Sequence, residues 1–156
     1  MKAIVGSVVG FVVAMLAFSH DANAQCCRWR GSGGWGPGGG YGRMYDPKTV
    51  ETIKGEVTKV DYVTPLKGMG HGVHLLLKTE QGMIHVHLGP AWYVENQDVK
   101  IAPKDRVEVK GSRVTIEGTP VVIAAEVRKG DEVLSLRDDN GVPRWAGWRR
   151  GGRTSP

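Results

Sequence analysis

Cysteine is scarce in this chain of 156 residues: it holds two, adjacent at Cys26 and Cys27, too few for a disulfide scaffold. Neighbouring cysteines strain an intrachain bridge and match neither the two-residue gap of a redox pair nor a haem attachment sequence. The main apolar run, Ala3 to Phe18, is shorter than the ~20 residues that cross a bilayer comfortably. Nucleophile elbow, phosphate loop, zinc-protease helix and an evident carboxylate pair are all missing. The length excludes a multidomain enzyme. A charged fraction of 24% with ample Val, Ile and Leu excludes a wholly disordered chain. The sequence therefore reads as one small non-enzymatic domain with appendages.

The first appendage has the features of an address. Met1-Lys2 supplies a positive start, the apolar run follows, and Ala22-Asn23-Ala24 offers the small-x-small pattern of a cleavage site. A signal peptide over 1–24 is expected, with the mature chain starting at Gln25. Asn23 stands where lipidation of Cys26 would want an apolar residue. A periplasmic or secreted protein with no transmembrane segment after cleavage follows, in an oxidising compartment.

The formal charge of +5 is unevenly placed. The arm up to Asp46 carries +2 and the tail from Arg144 carries +4, which leaves residues 47–143 at −1. Residues 31–42 contain eight glycines and no hydrophobic period, so residues 25–47 read as a flexible arm unable to bury enough apolar area to offset its ordering entropy. Residues 138–156 read as a basic tail rich in Trp and Arg, whose Trp145 and Trp148 could cap the domain or meet a partner.

From Thr49 the period becomes two, punctuated by Gly and Pro. A bent first strand is expected from Val50 to Val63, with a bulge near Thr58-Lys59 where the apolar phase changes. Further strands are expected over Gly72 to Lys78, Met83 to Leu88, Arg106 to Ile116 (broken at Gly111-Ser112), Pro120 to Arg128 and Glu132 to Arg137. Pro90 opens a short helical turn to Asn96. This order predicts an all-β fold, a small OB-like barrel of five to six strands with one short helix between strands 3 and 4, spanning residues 48–137. Trp92 and Tyr93 are expected to plug its open end, with a ligand lid as the other reading.

Pairing the second and third strands gathers Val73, Leu75, Leu77, Ile84, Val86 and Leu88 on one face, the core. The opposite, solvent-facing side then carries His74, Leu76, Lys78, Met83, His85 and His87. His74 is expected opposite His87, with His85 diagonal and His71 within reach. Three imidazoles on neighbouring strands, whose opposed Cβ atoms lie ~5 Å apart, can converge on one ion. Zinc would take the imidazoles and a water, and copper would also accept Met83. The bland alternative is a wet histidine face that binds nothing. Nucleic acid is disfavoured, because this face lacks stacking aromatics and a cationic groove; a periplasmic or envelope protein is the partner class that export leaves.

Three strings carry a resemblance: Val86-His-Leu-Gly-Pro-Ala-Trp-Tyr93, Leu134-Ser-Leu-Arg-Asp138 and Gly141-Val-Pro-Arg-Trp-Ala-Gly-Trp148. In this order around the sheet pattern they resemble the domain of the magnetosome proteins MamS and MamX, over about residues 48–150. The resemblance implies an exported small β-barrel associated with metal or redox handling. Members of the MamX type add a c-type haem, but this chain has no Cys-x-x-Cys-His. Covalent haem is not expected, and a role in magnetite formation is not carried over.

Overall fold

The computed structural model describes residues 32–146. The expected signal peptide, Cys26, Cys27 and Trp148 lie outside the described residues.

Six strands form one sheet: β1 Val50–Val63, β2 Gly72–Thr79, β3 Gly82–Pro90, β4 Arg106–Ile116, β5 Thr119–Lys129 and β6 Glu132–Ser135. The four-residue helix α1, Ala91–Val94, lies between β3 and β4. The sheet order is β3-β2-β1-β4-β5-β6, and a parallel pairing of β3 with β5 closes five strands into a ring. This is the all-β, barrel-like architecture that the period-two pattern predicts. Closure removes the exposed sheet edges that five open strands would present.

The first strand belongs to two neighbours. Val50 to Glu56 pairs with β4, and Glu56 to Val63 pairs with β2. Between Val57 and Lys59 the register slips, the bulge that the change of apolar phase requires. The loop before β4 catches this point, since Lys104 N–H donates to Val57 O at 2.7 Å and Val57 N–H to Asp105 O at 2.8 Å. A second slip, opposite Lys110 and Gly111, leaves Ala125 of β5 as the extra residue and bends β5 towards closure. The turn at Glu117-Gly118 has positive φ at both residues, 50° and 81°, the backbone twist that matches a tight hairpin.

Inside the ring lie the six expected hairpin residues, joined by Val57, Val107, Val109, Val122 and Val127. One end of the ring is closed differently from the expectation. Trp92 is only half-buried, whereas Trp35, Tyr41, Tyr93 and Trp145 are buried. Helix α1 is one turn long, so it can turn only part of its apolar surface inward, and Tyr93 and Val94 take that place. The plug comes from the two appendages.

The reading of the glycine-rich arm as flexible needs correction for its described part. Trp35 and Tyr41 are each 2% exposed. Trp35 donates Nε1–H to Gly70 O at 3.0 Å, and Gly70 N–H donates to Gly33 O at 2.7 Å. The Trp35 ring sits against Gly72, where a Cβ would collide with it. Low hydrophobicity per residue misjudges such a segment, because two large rings placed in a preformed gap bury enough surface to hold a thin strand of glycine. The domain boundary at 137 also moves: Trp145 is 4% exposed, and its Nε1–H donates to Trp35 O at 2.8 Å. A Cβ on Gly89 would lie 2.7 Å from the Trp145 ring. The packed body therefore runs from the arm to Ala146.

Trp145→Ala should lower stability by about 3 to 5 kcal/mol, the usual loss for a buried large aromatic. Trp92→Ala should remove less than half of that. Urea unfolding midpoints check both, and equal losses would return Trp92 to the plug.

Candidate functional site

The β2–β3 ladder sets His74 opposite His87 and Leu76 opposite His85. All three histidines line one open cleft of about 480 Å³. Its other walls come from the end of β1, through Lys59, Asp61 and Val63, and from the β4–β5 turn, through Ile116, Glu117 and Thr119. His85 is exposed at the mouth.

His74 and His87 are not on a wet face, as period-two reading expects; each is 6% exposed. Two features outside the hairpin account for this. Tyr41, from the arm, lies alongside His87 with ring centroids 6.0 Å apart and planes within 17°. The β4–β5 turn forms the facing wall of the cleft on the other side. The two imidazoles stack, centroids 3.6 Å apart at 19°.

Burial decides their charge. It pushes the His74 pKa down to about 4, aided by the charge of His85 and opposed by Asp61. It pushes His87 down to about 3, with His74, His85 and Arg137 acting in the same direction. Both rings are thus neutral at physiological pH, each with one nitrogen that can accept and one that can donate. His87 Nδ1 is hydrogen-bonded to the Tyr41 hydroxyl at 3.0 Å. Among the described residues His74 Nε2 is sealed from solvent and has no hydrogen-bond partner.

Arg137, which sequence reading left as part of a motif string, lies behind this pair. It is 6% exposed, donates from Nη1 to Leu88 O at 3.3 Å and to Ala124 O, and lies 4.8 Å from the Trp145 ring centre and 5.9 Å from that of Tyr45. Carbonyl dipoles and aromatic faces solvate the guanidinium. Burial lowers its pKa. Tyr41 was equally hidden from sequence reading; the only trace was a pair of large rings, Trp35 and Tyr41, amid glycines.

The expected ligands do not all meet. His71 is exposed at the start of β2, its Nδ1 3.5 Å from Thr64 Oγ1, and does not line the cleft. Met83 is 52% exposed at the far end of the hairpin, in a separate groove with Glu51, Ile84 and Arg113, because three residues of strand lie between it and His87. Among the described residues, no three His, Cys, Asp or Glu side chains are gathered so as to hold an ion. Stacking explains that for the central pair, since parallel rings aim their lone pairs side by side rather than at one point. Tyr93 and Trp145 pack together, centroids 5.3 Å apart, within the plug and away from solvent.

Neutral buried histidines make stability depend on pH. Above about 6.5, the ordinary histidine value, folded and unfolded chains are both neutral and the pair adds no slope. Below it the unfolded chain takes up protons that the folded rings refuse, so stability falls until the folded-state values of about 4 and 3 are reached. The loss should be about 2 kcal/mol per ring by pH 5. Thermal midpoints from pH 7 to pH 5 measure it; a flat profile would mean solvated rings.

Among the described residues no helix is long and apolar enough to cross a membrane. No curated protein matches the chain. A family profile does, over residues 49–134, which takes in β1 to β5 and most of β6, with all four of these histidines. The chain belongs to the MamS/MamX magnetosome protein family.

Proposed function

We propose that the protein is an exported, non-enzymatic accessory domain that takes a transition-metal ion, copper or zinc, at the histidine cleft. The observation that carries this reading is His74 Nε2, a buried nitrogen with no partner on a ring that burial keeps neutral. Buried polar atoms are otherwise almost always paired, and a neutral imidazole nitrogen is the donor that both ions favour. His85 stands beside it at the cleft mouth with Asp61. Two or three such donors do not complete a shell, so water or a group from another protein would finish it. An incomplete shell suits an accessory that receives or passes on an ion. Export is supported by Lys2, the apolar run and Ala22-Asn23-Ala24, and the periplasm or exterior is the compartment that follows.

An interaction module without metal is the second reading. It is supported by Tyr62 and Val63, exposed by 57% and 42% where β1 ends, Val63 on the cleft wall itself.

Calorimetry with Cu(II) and Zn(II) on the chain beginning at Gln25 separates the two. His74→Ala should weaken binding roughly tenfold or more while the fold, followed by circular dichroism, persists. A protein carrying both His74→Ala and His85→Ala that binds as the parent does would place any ion elsewhere, with Cys26 and Cys27 next to be tried.

A further inference from the structure

Tyr41 makes a single hydrogen bond through its hydroxyl, to His87 Nδ1 at 3.0 Å, and it is 2% exposed, so water does not serve it. Burial raises its pKa; the phenol keeps its proton. That proton needs an acceptor, and His87 Nδ1 is the one within reach. Neutral imidazole carries one proton on one of its two nitrogens. If Nδ1 accepts from Tyr41, the His87 proton sits on Nε2. The opposite tautomer, with Nδ1–H donating to the phenol oxygen, would leave the Tyr41 O–H buried and unpaired, an arrangement that is unfavourable by the full desolvation of a hydroxyl.

The same bond decides what His87 can offer. It lines the cleft with His74 and His85, yet its lone pair is engaged by Tyr41 and its other nitrogen carries hydrogen. We infer that Tyr41 is a positioning residue that locks His87 as an N–H donor toward the cleft, so that His74 and His85 hold the ion and His87 holds a water or anion carried by it. This rests on the proposed ion site for its second half only; the state of His87 is set by Tyr41 whether or not an ion binds.

The arm thereby becomes part of the site. Tyr41 is held in place by Trp35, its ring edge-on with centroids 4.9 Å apart, and Trp35 is held by Gly70 and Trp145. A metal ligand normally donates its second ring N–H to a fixed acceptor; a phenol whose own proton has nowhere else to go is a poor acceptor, and this sets His87 apart from a ligating histidine.

Two measurements test the inference. Nitrogen-15 imidazole spectra of the metal-free chain at pH 7 should show His87 with Nδ1 unprotonated and Nε2 protonated, and Tyr41→Phe should shift it toward a mixture of tautomers. A His87 protonated at Nδ1 in the parent overturns the lock. Titration with Zn(II) alone should then give Tyr41→Phe an affinity equal to or tighter than that of the parent, since the freed ring becomes able to ligate. A tenfold loss in a variant whose fold is intact would make His87 a ligand oriented by Tyr41 and sink the inference. If the parent binds no Zn(II) or Cu(II), the ion reading of the cleft fails, while the tautomer measurement still decides for or against the lock.

Discussion

The end of the barrel is closed by one bond between segments far apart in the chain. Trp145 donates its indole N–H to the carbonyl of Trp35, 110 residues away, and Trp35 donates its own to Gly70. Much at this end follows from that clamp. It seats one indole on Gly72 and the other on Gly89, lays the arm across the ring, and brings Tyr41 to His87. Without it the histidine pair would face water on the arm side, Arg137 would lose an aromatic face, and the five-strand ring would keep an open end.

The strands were legible because alternation is a local signal. The bulge at Val57–Lys59 and the pairing of His74 with His87 follow from where apolar residues change phase and where turns interrupt, whereas the extra residue at Ala125 leaves no such mark. The plug was not legible. Residues 31–42 have the composition of a tether, and composition counts glycine by glycine, whereas the binding of this segment resides in two rings. Of the expected plug of Trp92 and Tyr93, only Tyr93 is buried, and Trp145, legible as a possible cap, takes the other place. The orientation of a one-turn helix decides which of Trp92 and Tyr93 points inward.

The histidine cleft divides along the same line. Which histidines share a face is a matter of strand period, and that part could be read. Whether they are wet is a matter of what crosses over them, and the crossing elements come from outside the hairpin, one from before β1 and one from the β4–β5 turn. Burial then converts an ordinary pair of surface bases into two neutral rings, with the Arg137 charge behind His87 further opposing its protonation. The barrel carries this polar group on the outer face of the β2–β3 ladder rather than in its centre, where Leu75, Val86 and Val122 leave no polar atom to satisfy.

The clamp also orders events in time. Contacts between residues far apart in sequence form late, because a long loop must close before they contribute anything. Trp35 is made early, yet its indole-to-carbonyl partner is Trp145, at the other end of the described chain. The arm therefore cannot settle until nearly the whole barrel has been synthesised and its strands have paired. A segment made early is thus among the last to settle.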